Sequence, residues 1–201
     1  MLSTPNVFQW IGAKLAFAWQ GRTLKRDIMR AAAELAVQQA SADVGRITER
    51  LVNGLTNVRE WESEMQAALK RLHCANAALA RGGWQQMAPA NWRRVEETLR
   101  FHYPYLRGFA QDVAAGKVSE RQILGRAQRY VLASRGTYEN ERLELHKERG
   151  FAEARRVLAG SVAHCSTCAE EAAKGWQPID EMLPIGDAEC RAACNCAIVH
   201  R

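Results

Sequence analysis

The apolar residues Trp61, Met65, Ala68, Leu72, Ala75 and Leu79 recur at alternating spacings of four and three. A helix turns once in about 3.6 residues, so this alternation puts all of them on one face, which no strand could do. The stripe stops at Gly82-Gly83, where glycine adopts the left-handed backbone that closes a helix. The same rhythm returns at Trp92, Val95, Leu99, His102, Leu106, Phe109 and Val113. Asn91, just after Pro89, is the expected N-cap of this second helix. Pro104 should kink it, because proline removes a backbone donor, and Gly116 should end it. The segment "SERQ" (119–122) has the form of a capping box. Ile123, Ala127, Tyr130 and Ser134 follow on one face, with Gly136 as the expected stop. A further helical run, rich in Glu and Arg, is expected over 138–158. Upstream, Leu24, Ile28, Ala31 and Leu35 open an amphipathic segment that runs towards Leu51, ahead of Asn53-Gly54.

No strand alternation is visible before residue 160, and no unit of roughly 20 to 50 residues repeats, which excludes a solenoid. The expected fold is therefore mainly α: an elongated helical bundle over 1–159 with a small cysteine-rich module over 160–201. His73 and Cys74, beside the first stripe, are expected to be packed side chains rather than ligands. The tryptophans at 10, 19, 61, 84, 92 and 176 are expected in cores or interfaces. The arginines at 121, 126, 129 and 135 form a basic side of one helix and are read as a solvated face.

The second constraint is the cysteine distribution. Five of the six cysteines lie between Cys165 and Cys196, as Cys165-x2-Cys168, then 21 residues, then Cys190-x3-Cys194-x-Cys196. A CxxC pair sets two sulfurs within reach of one ion, and a distal thiol pair completes a tetrahedron. Such a metal would also supply the folding energy that about 40 residues with few large apolar groups lack. The candidate ligands are Cys165, Cys168, Cys190, Cys194 and Cys196, five thiols for four places, and Zn²⁺ in a structural role is the expected ion. If 194–196 is extended, Cys194 and Cys196 face the same way. If 190–194 is helical, Cys190 and Cys194 do. His164 and His200 are read as bystanders.

Other chemistries fit less well. The spacing matches neither ferredoxin pattern for an iron–sulfur cluster. A redox CxxC belongs at a helix start in an α/β fold, and no βαβ pattern is present. A disulfide pair formed outside a cell would give the same spacing. No HExxH, phosphate-binding glycine loop or GxSxG appears, and the cluster lacks the Glu of a zinc deaminase, so no catalytic residue is expected and the chain is read as a non-enzyme.

Charge and hydropathy agree with that reading. The formal charge is +6, compatible with nucleic acid, an acidic partner or a solvated surface. The N-terminal segment 1–26 lacks the basic-then-apolar order of a signal peptide, and nothing approaches the roughly 20 apolar residues of a membrane span. Synthesis in a cytoplasm is expected, where stable disulfides are rare and clustered cysteines point first to metal.

"FHYPYLRGFAQDVAAGKVSERQILGRAQRYVLASRGTYE" (101–139), followed by "HCSTCAEEAAKGWQPI" and "GDAECRAACNC", resembles the head-morphogenesis or minor head (minor capsid) proteins of tailed bacteriophages. The resemblance covers roughly 60–201. It is loose in the helical part and more specific in the C-terminal motif, where Cys165 and Cys168 match the first pair and Cys194 and Cys196 the last. Many members carry His-Pro before the last pair; this chain has Cys190 instead. The resemblance implies a structural virion protein, present in a few copies near the portal vertex and made in the host cytoplasm. Its implied partners are portal, capsid or head-tail connector proteins and packaged DNA, in an oligomeric assembly without membrane. The alternative is a free zinc-containing nucleic-acid-binding regulator, which needs a basic reading helix beside the metal. The module offers "AEEAAKGWQPIDEM" there, which is acidic. An enzyme with an unrecognised site is the third reading.

Overall fold

The computed structural model describes residues 9–11, 14–16, 26–160 and 163–201. Among the described residues five α-helices and five short strands follow one another: β1 (Gln9–Ile11), β2 (Lys14–Ala16), α1 (Arg26–Val52), α2 (Val58–Arg81), α3 (Pro89–Ala114), α4 (Glu120–Glu148), β3 (Glu153–Val157), α5 (Ser166–Ala173), β4 (Gln177–Pro178) and β5 (Ala197–His200). The chain is mainly helical, with five of its six cysteines gathered in a small C-terminal module. No helix among the described residues is long and apolar enough to cross a membrane. β1 and β2 form an antiparallel pair.

All six residues of the α2 stripe are buried, and Trp61 meets Phe109 of α3 edge to face at 5.4 Å. Around Trp61 the core combines Val37 and Val44 of α1, Met65 and Leu69 of α2, Leu106 and Phe109 of α3, and Ala127 and Val131 of α4. The Trp61 indole N–H donates to Thr48 at 3.2 Å, so the largest core side chain leaves no polar atom stranded.

Polar contacts fix the helix directions. Gln128, Arg135 and Glu139 of α4 meet Ser41, Glu34 and Arg30 of α1 in reverse order, so these helices are antiparallel. α1 is likewise antiparallel to α2, with Thr48 against Trp61 and Met29 beside Leu79. α2 and α4 are therefore parallel, and α3 is the return segment that permits it. Between them lies a buried polar layer. Asn76 donates to the Ser134 carbonyl and hydroxyl, both at 3.0 Å, and His73 Nδ1 is 2.7 Å from Thr137 Oγ1. Arg81 and Arg94 both engage the buried Glu141 at 2.8 Å, tying α2 and α3 to α4.

Several expectations are corrected. Ile28, Ala31 and Leu35 are not the core face of α1: Ile28 is 41% and Leu35 42% exposed, while Met29, Ala32, Ala33, Val37 and Val44 are buried. The buried face of α1 is made partly of alanines, which an apolar count over larger residues overlooks. Leu24 lies outside the described residues. Asn91 does not cap α3. The helix starts at Pro89, whose missing N–H costs nothing in the first turn, and Asn91 Oδ1 instead accepts from the Ala88 amide. Pro104 sits inside a continuous α3. The capping box at Ser119 and Gln122 is present, and Gly116 takes φ 64° just beyond α3.

Gly136 does not end a helix. The two runs expected around it are the single helix α4, which stops at Glu148 rather than near Leu158. A Cβ on Gly136 would stand 3.0 Å from the Ile185 carbonyl oxygen, so this glycine admits the C-terminal chain against α4. Asn140, one turn on, holds the same residue by donating to its carbonyl at 3.0 Å and accepting from its amide at 2.9 Å. Residues 153–157, expected as helix, form β3, the central strand of an antiparallel sheet ordered β4-β3-β5. The helix stops because Gly150 turns the chain with φ 79°, and the strand survives because β5 supplies its ladder partners. The C-terminal sheet thus draws on residues ahead of 160.

Two outcomes follow. Gly136→Leu should overpack the contact with Ile185 and cost about 1–3 kcal/mol, with faster proteolysis around 183–187 and little loss of helical circular dichroism. The second concerns acid. Burial, then the neighbouring His102, lowers the His73 pKa to about 3. The unfolded chain takes up that proton near pH 6.5, so it binds more protons than the folded one between there and about pH 3, and stability falls as pH drops through this window. Denaturant midpoints should register about 2–3 kcal/mol of this loss between pH 7 and 4.5. A His73→Leu variant should show a correspondingly flatter pH dependence.

Candidate metal centre

Three pieces of local structure bring the clustered thiols together. Cys165 is the N-cap of α5, with φ −69° and ψ 159°, and its Sγ accepts from the Cys168 amide at 3.4 Å. The first helical turn therefore folds Cys168 back beside Cys165, which is the geometric content of a CxxC pair. Cys190 precedes a single 3-10 turn over Arg191–Ala193, and Cys194 resumes an extended backbone. Arg191 occupies the left-handed region at φ 45°, which swings the chain back so that Cys190 and Cys194 reach the same neighbour. Cys196 immediately precedes β5, held in place by pairing with β3.

All five thiols are free, and they form two triads within which the sulfurs lie no more than 4.8 Å apart: Cys165, Cys168 and Cys190, and Cys168, Cys194 and Cys196. Cys168 belongs to both. Its sulfur is 3.6 Å from that of Cys190 and 3.8 Å from that of Cys194. A tetrahedron of sulfurs around zinc, with Zn–S bonds of about 2.3 Å, has edges of about 3.8 Å. The spacing fits a bound ion and is far longer than the ~2.05 Å of a disulfide. These clustered cysteines could hold a metal ion.

Electrostatics set the protonation of the cluster. Burial, and then the surrounding thiols, raise the Cys168 pKa far above the ordinary thiol value. Burial and Cys165 push Cys190 up to about 12, and burial with Cys194 raises Cys196. At Cys165 burial opposes ionisation, but backbone hydrogen bonds from Cys168 and Cys190 prevail and the value is lowered. Without a cation most of these thiols stay protonated at neutral pH. A divalent ion reverses this, since thiolates bind it with release of protons.

The remaining candidates separate cleanly. His164 Nδ1 lies 3.9 Å from Cys196 Sγ while Nε2 is 2.8 Å from the Ala159 carbonyl, so this histidine stands at the rim of the cluster. His200 is turned away and stacks on His146 of α4, with ring centroids 3.9 Å apart. His73 and Cys74 sit in the helical core, far along the chain from the cluster. Of the arginines read as a solvated face, Arg135 pairs with Glu34 and Asn195, and Arg126 lies over the Phe109 ring at 4.1 Å.

Sequence reasoning missed Arg156. The β3 alternation turns Ala154 and Arg156 inward and Arg155 and Val157 outward. Arg156 Nη1 lies 3.6 Å from Cys168 Sγ and 3.9 Å from Cys194 Sγ. The signal was the charged, period-two string "EARRV", which reads equally well as an exposed helix while its pairing partner, some 40 residues later, is unknown.

No protein-family model, curated protein or solved structure matches the chain.

Because Cys168 is common to both triads, Cys168→Ser should abolish stoichiometric metal binding. Among the other four Cys→Ser variants, loss should be graded, with the surplus thiol retaining the ion. Elemental analysis of each purified variant checks this. Circular dichroism should keep most of its helical signal throughout, since α1–α4 have their own core.

Proposed function

We propose that the chain is a structural protein of a tailed-bacteriophage particle, of the minor head or head-morphogenesis type, acting in head assembly or at the portal vertex. A structural zinc ion, held by four of Cys165, Cys168, Cys190, Cys194 and Cys196, fixes its C-terminal module on the helical body. The observation that carries this reading is the convergence of the motif cysteines. The motif cysteines meet through Cys168, which is grouped with Cys165 and Cys190 on one side and with Cys194 and Cys196 on the other, and Cys190 stands where many members of the family have His-Pro.

The zinc is structural in this proposal. Sulfur-rich sites of this kind close around the ion and leave no open position for substrate, and catalytic zinc sites keep one. The chain's own residues set the thiols through the α5 cap, the 3-10 turn and the β3–β5 pairing, and the ion supplies cohesion to a module of small apolar content. The protein is accordingly proposed to be a non-enzyme. Outward-facing Phe101, 64% exposed, and Tyr105, 56% exposed, sit one turn apart on α3. Adjacent exposed aromatics suit docking onto portal, capsid or connector proteins better than solvent. A DNA-reading role for the metal module gains little support from its surface, where exposed Glu170, Asp180, Glu181, Asp187 and Glu189 outnumber exposed Lys174, Arg191 and Arg201.

Two measurements test the proposal. The protein purified under reducing conditions should contain close to one zinc per chain; absence of metal, or iron–sulfur absorption, overturns the zinc assignment. Mass spectrometry of purified particles should detect the chain with portal and capsid proteins, and the Cys168→Ser variant should be depleted from them. Recovery only outside particles, with salt-dependent binding to duplex DNA, overturns the virion role in favour of a nucleic-acid-binding protein.

A further inference from the structure

We propose that Arg156 is the buried counter-charge of the metal–thiolate centre, a positioning residue whose guanidinium holds the sulfurs of Cys168 and Cys194 and tightens the grip on the ion. This rests on the zinc reading above. The inference starts from a buried charge that makes no contact ion pair among the described residues. Arg156 is 2% exposed, and a guanidinium stays protonated at any relevant pH. Burying such a charge is costly unless an anion and hydrogen bonds compensate. Among the described residues no carboxylate lies within ion-pair distance of it. The buried carboxylate of the module, Glu171, feels the Arg156 charge at longer range but is engaged directly by Lys174 and by Gln177 at 3.1 Å.

What Arg156 does touch is specific. Nη2 donates to the Leu183 carbonyl and, at 3.4 Å, to that of Pro184. Nη1 faces the sulfurs of Cys168 and Cys194 at 3.6 and 3.9 Å. Carbonyls satisfy hydrogen bonds but carry no net charge. Among the described residues the sulfurs are the only contacting atoms that can become anionic, and they do so when they bind a cation. A divalent ion with four thiolates has a net charge of about −2, and one guanidinium against it halves the charge left buried. Each side therefore supplies what the other lacks. The same guanidinium pins 183–184, next to Ile185 on Gly136, so the centre and the seat on α4 share one side chain. Partners outside the ligand set commonly change metal affinity by about 10–100-fold.

The test compares wild type with Arg156→Met and Arg156→Lys in the full chain. Zinc affinity is measured by chelator competition, and the thiolate-to-metal charge-transfer band after replacing zinc by cobalt(II). Arg156→Met should bind zinc about 10–100-fold more weakly, and its charge-transfer band should move to lower energy, because thiolates without a nearby positive charge give up electrons more readily. Arg156→Lys, which keeps the charge, should recover part of the affinity and most of the band position. A purely packing role would lower affinity without moving the band and without rescue by Lys. Wild-type affinity and an unshifted band in Arg156→Met overturn the inference, as does a module that neither variant can fold. Absence of stoichiometric metal in the wild type would instead remove the zinc reading itself.

Discussion

The packing of α4 is the constraint on which the rest of the structure depends. One side of this helix closes the core with α1 and α2 through Ile123, Ala127 and Val131. From residue 135 onward it also carries the C-terminal module, through Arg135 on Asn195, Gly136 beneath Ile185, Asn140 around the same residue, Leu143 in the module core and His146 against His200. A helix that serves two cores needs unlike faces over its length. Its apolar periodicity is accordingly blurred, and Ser134, Thr137, Glu139, Glu141 and Arg142 are buried. Those groups find partners: Arg81 and Arg94 on Glu141, Arg30 and Arg142 on Glu139, and Asn76 on Ser134. Such buried polar contacts add modest net stability but penalise any slip of register, because each would strand a desolvated group.

The C-terminal module solves a different problem. Its apolar cluster includes Cys168, Cys194 and Cys196 among a few aliphatic residues, so thiols make up part of its own core. Without an ion that core would combine protonated sulfurs with a charged Arg156. On the proposed reading, a bound ion would ionise the sulfurs and give the guanidinium its counter-charge, so that metal, arginine and strand pairing would hold the module together on α4.

This division suits the proposed place in a phage particle. On that proposal, a helical body with exposed aromatics would dock by shape and apolar contact, and the C-terminal module would present a surface of mixed charge. Neither part needs a reactive group for that work.

Much of this was legible in the sequence. The α2 stripe, its Gly82-Gly83 stop, the Ser119–Gln122 capping box and the gathering of the five thiols are all local or compositional signals, fixed by a 3.6-residue period, by cap chemistry and by the reach of a CxxC turn. What the sequence could not decide were matters of long-range partnership. The buried face of α1, with Met29, Ala32 and Ala33 against Leu79 and Tyr138, depended on where α2 and α4 came to lie. Gly136 looked like a stop because the carbonyl that requires its bare backbone belongs to Ile185, 49 residues away. Residues 153–157 became a strand only because β5 and β4 lay ready to accept their ladder, and that pairing alone turned Arg156 towards the sulfurs. Local periodicity sets which residues share a face. Tertiary structure decides what that face meets, because burial and counter-charge belong to pairs of segments and are written in neither one alone.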